Sequence, residues 1–285
     1  MRHPGLIALL AGSVFVVAAC EGSKQAAVTR AIDSVVAVDN QNMADLMLAA
    51  GNPEEAVSYF AAQVERDPTH LGSQRGLARS LVRAGRVADA LPVWQRVTAD
   101  ADATHDDRLM LADTYIRANR WAEAERTLNA VPPTHESYDR YRLEAIIADS
   151  KQQWQKADHF YETAAGLTTR PAGVLNNWGY SKLTRGAPRD AESLFAQALQ
   201  HDPDMFTAKN NMALARAAQG NYSLPLVRMS QQERAMLLHT MAIAAIRKGD
   251  TNVGRTMLSE AIETHPQHFE EAVRALRALE GGGRG

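Results

Sequence analysis

An internal repeat of 34 residues is the strongest constraint on this sequence. Small residues recur at this spacing, and a turn-forming position, a large apolar position and an alanine position keep the same period. Several registers do not hold one period by chance, so we predict an array of similar units. The small register comprises Ala44, Ala78, Ala112, Ala145, Gly179, Ala213 and Ala242, and the turn register comprises Gly51, Gly85, Asn119, Gln152, Gly186, Gly220 and Gly249.

Each repeat is predicted to contain two helices joined by a tight turn. The small residue lies on the first helix and lets the partner helix approach closely. The turn residue is usually glycine, which adopts a left-handed conformation easily at the end of a helix. The second helix presents an alanine and, four residues later, a large apolar side chain on the same face. The alanines are Ala56, Ala90, Ala124, Ala157 and Ala191, and the large residues are Phe60, Trp94, Leu128, Tyr161, Phe195, Met229 and Leu258.

This pattern resembles the tetratricopeptide repeat, and Leu175 to Pro203 is nearly a consensus unit of that family. The resemblance covers roughly residues 37–266. It implies an all-α tetratricopeptide-repeat superhelix with about seven helix-turn-helix units and a C-terminal capping helix. Such arrays bind protein segments, and we predict no enzyme activity.

The sixth repeat departs from this pattern. Pro225 stands where the register requires alanine, and the next small residue follows after 29 residues. We therefore predict a short or broken second helix over residues 221–230. Residues 267–280 have apolar side chains at helical spacing and are predicted to form the capping helix.

The N-terminus is predicted to direct and anchor the chain. Arg2 precedes an apolar run of about a dozen residues, which is typical of a signal peptide and too short for a transmembrane helix. The sequence V-A-A-C at 17–20 resembles a bacterial lipobox, and the alternative is a secretory signal with an incidental cysteine. The resemblance implies lipid attachment at Cys20. The predicted parts are a signal peptide at 1–19, a lipidated tether at 20–36, a repeat solenoid at 37–280 and a disordered tail at 281–285.

Composition and motifs exclude several other classes. The 31 basic and 33 acidic residues give a net charge of −2, without the basic excess of a typical nucleic-acid binder. No nucleotide-binding, hydrolase or zinc-protease motif occurs. His265 and His268 are predicted to be structural or exposed, and the tryptophans are predicted to lie in the core. We predict no cofactor and no metal site.

The first helices are predicted to line an inner groove that holds a peptide by amide and charge contacts. The alternative is that these side chains are ordinary solvated helix faces and bonds between repeats. The lysine and asparagine clamp of chaperone-binding repeats is incomplete here. The predicted groove residues are Gln41, Asp45, Arg75, Arg79, Asp113, Arg142, Asn176, Asn177, Tyr180, Asn210 and Asn211.

A lipobox followed by such repeats resembles the TadD family of tight-adherence (Flp) pilus assembly. The resemblance rests on Cys20, the LNNWG and KNNMA helices, the YSLPLV break and the terminal QQERAMLLHTMAIAAIRKGD segment. It implies that the partner is a pilus secretin and that the chain faces the periplasm. Glu21 after the cysteine favours the outer membrane over the inner. The alternative is a periplasmic adaptor for outer-membrane protein assembly, cell division or polysaccharide export.

Overall fold

The computed structural model describes residues 43–49 and 51–281, and within these ranges all regular secondary structure is helical. The predicted signal peptide, Cys20, the tether and Gln41 lie outside the described residues, as does the tail after Gly281. No helix within the described ranges has the length and apolar content needed to span a bilayer. The helices are α1 (43–49), α2 (Pro53–Arg66), α3 (Leu71–Arg83), α4 (Val87–Ala99), α5 (His105–Arg117), α6 (Trp121–Asn129), α7 (Tyr138–Ser150), α8 (Trp154–Gly166), α9 (Ala172–Thr184), α10 (Pro188–His201), α11 (Phe206–Ala218), α12 (Gln231–Lys248), α13 (Thr251–Thr264) and α14 (Glu270–Gly281).

The chain divides into two compact units, of which the first ends at Asp107 and the second begins at Arg108. In the first unit, α3 packs on both α2 and α4. In the second unit, each helix from α6 onward packs on the helix that follows it, and α9 also contacts α11. Packing between neighbours in sequence is typical of repeat arrays. The predicted all-α helix-turn-helix architecture is therefore confirmed.

From Gly85 onward, the predicted turn register coincides with left-handed backbone. Gly85, Gly186, Gly220 and Gly249 have φ values from 74° to 95°, and Asn119 and Gln152 have φ values of 59° and 58°. Glycine adopts this region without strain, whereas other residues do so at a cost. Each turn follows directly after a first helix. After Gly85, Gln152, Gly186 and Gly249 the next helix packs back on the first.

Close helix approach explains the small-residue register. A Cβ atom built on Gly179 would lie 2.6 Å from Cε1 of Phe195, a distance that a rigid ring does not allow. The five register alanines of the second helices have no exposed surface, and the large residues four positions later are at most 3% exposed from Phe60 to Phe195. The core therefore runs along the seam between first and second helices, as the sequence predicts.

The sixth repeat has no second helix. Residues 221–230 are irregular, and Pro225 is buried within them. Arg216 of α11 donates from Nη1 to the carbonyl oxygen of Leu224, which holds the irregular segment against the preceding helix. The α12 helix then begins with a capping box in which Ser230 and Glu233 satisfy each other's backbone amides. The prediction of a broken helix is confirmed.

The last helix closes the array. The α14 helix packs on α13, and its Ala272 is fully buried. Phe269 and Leu276 pack against the core that α12 and α13 form. The predicted capping helix is confirmed, with its observed end at Gly281.

Candidate functional site

Three predicted groove residues lie in the first compact unit. Asp45, Arg75 and Arg79 line a cavity of about 470 Å³. Arg75 donates from Nε and Nη2 to the two carboxylate oxygens of Asp107, at 2.8 and 2.7 Å. Burial by itself would raise the pKa of Asp107, but hydrogen bonds from Arg75 and Thr104 hold it below its ordinary value. Arg75 is therefore committed to an ion pair, and Arg79 remains exposed at the surface.

Asp113 and Arg142 form an ion-pair network between α5 and α7. Arg142 Nη1 lies 3.0 Å from Asp113 Oδ1, and Arg142 Nη2 lies 3.2 Å from Asp139 Oδ1. Arg117 Nε approaches the other oxygen of Asp113 at 2.6 Å. The Asp113 carboxylate is largely buried. These two predicted groove residues therefore join one repeat to the next.

Three of the predicted asparagines of α9 and α11 form side-chain hydrogen bonds between repeats, and the fourth is partly exposed to solvent. Asn211 Nδ2 donates to Asn176 Oδ1 at 3.0 Å, and both residues are buried. The Thr240 hydroxyl donates to Asn210 Oδ1 at 2.8 Å. Asn177 is half-buried. A primary amide offers two donor hydrogens and two acceptor lone pairs, so one bond each leaves Asn176 and Asn211 capacity for a ligand.

Four of the predicted residues meet in one cavity of the second compact unit. This cavity has a volume of about 600 Å³. Tyr180 is 53% exposed and Trp121 is 38% exposed. Aromatic side chains and amides thus surround one space of the size that binding pockets usually have. The polar lining includes Asn176, Asn177, Thr207 and Asn211, and the aromatic lining includes Trp121, Trp154 and Tyr180.

Asp149 also lines this cavity and is held by two hydroxyl groups. Ser181 Oγ donates to Asp149 Oδ1 and Tyr161 Oη donates to Asp149 Oδ2, both at 2.8 Å. Burial raises the pKa of Asp149 above its ordinary value, although both hydrogen bonds act in the opposite direction. Burial is also the main reason why the pKa of Tyr161 is raised. The cavity therefore contains a fixed acceptor group beside its aromatic wall.

Two family models described as tetratricopeptide repeat match residues 47–107 and 176–224. Together with the packing of the helices, these matches decide the type of repeat in both stretches. Residues 47–107 and 176–224 carry tetratricopeptide repeats. The second matched stretch contains the four predicted groove residues that line the cavity, namely Asn176, Asn177, Tyr180 and Asn211.

Solved structures share this fold at low sequence identity. A chain of human IFIT1 in a dimer with PPP-AAAA has a TM-score of 0.60 and 16% identity, covering 80% of this chain and 59% of that chain. A chain of the APC/C hetero-tetramer Cut9-Hcn1 has a TM-score of 0.59 and 12% identity, covering 83% and 48%. TTC0263, a tetratricopeptide-repeat protein of Thermus thermophilus, has a TM-score of 0.55 and 16% identity, covering 61% and 95%.

These comparisons concern the fold alone. The chain spans 48% of the length of the Cut9-Hcn1 chain and 59% of the length of the IFIT1 chain. Among proteins of curated function, none matches the sequence. The solved structures and the helix packing therefore show the fold, and the two matched stretches show the repeat type within them.

The sequence pattern does not predict the aromatic wall of the cavity. The prediction that the tryptophans lie in the core is correct for Trp94, at 1% exposure, and wrong for Trp121, at 38%. The position of each tryptophan relative to the register alanine distinguishes the two environments. Trp121 and Trp154 precede a register alanine by three positions and begin the second helices of the tetratricopeptide repeats, whereas Trp94 follows its alanine by four and lies on the apolar face.

The two C-terminal histidines make local contacts. His265 Nδ1 lies 3.1 Å from the backbone nitrogen of Gln267, and its ring packs against Phe269. His268 Nε2 lies 2.9 Å from a carboxylate oxygen of Glu270. The predicted structural or exposed role of both histidines matches these contacts.

Proposed function

We propose that this chain is a non-enzymatic scaffold that binds protein segments in the bacterial envelope and is anchored to a membrane through lipid on Cys20. The observation that carries the binding part is the cavity of the second compact unit. It combines amides, exposed aromatic rings and a fixed carboxylate on the first and second helices of successive repeats.

The cavity suits an extended peptide segment. The amides of Asn176, Asn177 and Asn211 can donate to and accept from a peptide backbone, because each offers both kinds of group. Tyr180 and Trp121 present large rings that an apolar side chain of the ligand can cover at low entropic cost. A volume of about 600 Å³ accommodates a few side chains, with the flanking peptide running over the adjoining surface.

We further propose that the partner is a component of a pilus or secretion machine, with a Tad/Flp secretin as the first candidate. The support is the lipobox at 17–20 together with the resemblance of the asparagine helices and the YSLPLV break to the TadD family. Lipid on the thiol and the amine of Cys20 would supply stable anchoring, since two or more acyl chains are needed for it. In this proposal the anchor carries the bound partner segment to the outer membrane.

The test is affinity capture from solubilised envelopes, read by mass spectrometry, with the wild-type chain and a Cys20→Ser variant. We expect a secretin or another pilus component with the wild type and a strong loss with Cys20→Ser. Recovery of only outer-membrane assembly, cell-division or polysaccharide-export proteins would contradict the pilus role and favour an adaptor for one of those machines.

Two further variants test the cavity itself. Tyr180→Ala removes a ring that is 53% exposed inside the cavity, and we expect at least fivefold lower capture of the partner. Leu167→Ala is the matched control, because Leu167 is 48% exposed and lies outside this cavity. Equal capture by both variants and the wild type would show that the partner binds elsewhere.

A further inference from the structure

A carboxylate contact recurs between successive repeats of the second compact unit. The fifth residue of the second helix bears the carboxylate in the third, fourth and fifth repeats. Its partner is the residue that directly precedes the left-handed turn position of the next repeat. The contacts are Glu125 with Lys151 at 2.5 Å, Asp158 with Arg185 at 2.5 Å, and Glu192 with Gln219 at 2.8 Å.

The seventh repeat keeps the partner position, but the sixth repeat lacks the helix that would supply the carboxylate. One period after Glu192 stands Leu226, which is 100% exposed. Lys248 directly precedes the left-handed Gly249, so it is the equivalent of Lys151 and Arg185. Lys248 is exposed and donates to the carbonyl oxygen of Ala218 at 3.2 Å. The cation is thus present where a second helix would meet it.

A cavity of about 480 Å³ is lined by the irregular segment that follows the sixth turn, together with α12 and α13. Leu224 of the irregular segment, Leu238 of α12, and Val253 and Met257 of α13 form its apolar wall. Val253 is 38% exposed, so part of this apolar wall is open to solvent.

Paired charges and hydroxyl contacts mark the two ends of this cavity. At one end Arg234 Nη2 lies 2.6 Å from Glu260 Oε1. At the other end the Tyr222 hydroxyl donates to Asp250 Oδ2 at 2.5 Å. The cavity therefore extends along α13 from Asn252 to Glu260. A second helix of the sixth repeat, antiparallel to α12, would run in this direction and would begin near Lys248.

We propose that this cavity binds an amphipathic α-helix of a partner protein, which takes the place of the missing second helix of the sixth repeat. The partner helix carries a carboxylate near its N-terminus that pairs with Lys248, and its apolar face covers Val253 and Met257. The choice of a helix follows from the repeat itself, because helices occupy the equivalent position in the third, fourth and fifth repeats. This surface is separate from the cavity around Tyr180, and the proposal depends neither on the lipid anchor nor on the pilus partner.

The probe is a synthetic peptide with the sequence of α10, PRDAESLFAQALQH, added to the full chain and followed by titration calorimetry. Its glutamate corresponds to Glu192, which makes this contact in the fifth repeat. We expect measurable binding to the wild type and about tenfold weaker binding to Lys248→Glu, because two carboxylates then face each other. A peptide with Glu192→Lys should restore binding to Lys248→Glu.

Matched variants distinguish the contributions of the Lys248 charge, the apolar wall and the helical form of the peptide from a non-specific loss of binding. Arg247→Glu makes the same charge change one residue earlier in the last turn of α12, and we expect binding within twofold of the wild type. Val253→Arg should abolish binding by placing a charge in the apolar wall. A peptide with Leu194→Pro cannot form the helix and should not bind.

Three outcomes would overturn the proposal. They are no binding of the α10 peptide, equal binding to the wild type and the Lys248→Glu and Val253→Arg variants, and undiminished binding of the proline peptide. Circular dichroism melting of each protein variant, with an unchanged midpoint, excludes unfolding as the cause of a loss. Failure here leaves capture through the Tyr180 cavity unaffected, so the two proposals are tested separately.

Discussion

In the fifth repeat α9 turns at Gly186 into α10, whereas in the sixth α11 turns at Gly220 into the irregular residues 221–230. The two first helices have the same length of 13 residues, and the two turns have φ values of 82° and 77°. In helix length and turn geometry, the two repeats are therefore alike up to the turn, and their backbones differ after it.

The difference shows what a second helix requires. Proline alone does not prevent it, because α4 contains Pro92 within the helix. In the sixth repeat, however, only residues 221–230 lie between Gly220 and α12, and a second helix of the fifth-repeat type takes 14 residues by itself. The shortened connection and Pro225 together leave an irregular segment that covers part of the neighbouring core.

The largest expected effect is the loss of unfolding free energy when the large apolar residue of each repeat is replaced by alanine, and this loss should differ between the two repeats. Phe195 has no exposed surface, so Phe195→Ala should lower the free energy of unfolding by about 3–5 kcal/mol. Met229 holds the same register position but is half-buried, so Met229→Ala should cost only about 1 kcal/mol. Urea unfolding of both variants measures the difference. Equal losses would mean that the irregular segment packs as firmly as α10.

The next effect should be the same in both repeats. Gly186→Ala and Gly220→Ala each force a Cβ atom into left-handed backbone, and each should destabilise the fold by about 1 kcal/mol. The space around both positions is adequate, since the nearest atom to the added Cβ is Lys248 Nζ at 3.5 Å from position 220. A clearly smaller loss for Gly220→Ala in thermal melts would show that the break begins at the turn itself.

A smaller effect concerns acid stability and has opposite signs at two carboxyl groups that flank the compared repeats. Asp149 accepts a hydrogen bond from Ser181 of the fifth repeat, and Glu233 pairs with Lys209 of the sixth. Burial by itself would raise the pKa of Glu233, but hydrogen bonds from Lys209 and Ser230 lower it below 4.5. Glu233 therefore contributes stability above about pH 4.5 that is lost as the pH falls through its folded pKa. Burial raises the pKa of Asp149 above 3.8, so its contribution is present below that pH and is lost as the pH rises through its folded pKa.

Urea midpoints of Glu233→Gln and Asp149→Asn, measured from roughly pH 3 to 6, test these signs. The advantage of the wild type over Glu233→Gln should shrink as the pH falls. The wild type should gain relative to Asp149→Asn over the same interval. A shift of the same sign for both variants would contradict the assigned causes.

The sequence predicts the repeat registers and the broken sixth repeat because these depend on period, glycine and proline. It also brings Asn177 and Tyr180 to the cavity through their position on the first helix. It does not predict that Asn176 and Asn211 bond to each other or that Arg75 is held by Asp107, since those pairs depend on side-chain rotamers across repeats. The exposure of Trp121 was not predicted, because tryptophan as a residue type favours the core. Its register position places it instead at the start of the α6 helix.

The smallest expected effect lies at Leu226. In the fifth repeat Leu194 and Leu199 are buried within the core, and removing such a side chain costs about 2–5 kcal/mol. Leu226 is 100% exposed, so Leu226→Ser should change the free energy of unfolding by less than about 0.5 kcal/mol. Leu224→Ser, two residues earlier and packed against the core, serves as the control and should cost more. A loss above about 1 kcal/mol for Leu226→Ser would mean that residues 221–230 bury this side chain in solution. In that case the sixth repeat would resemble the fifth more closely than its irregular backbone indicates, and the space for a partner helix would be occupied by the chain itself.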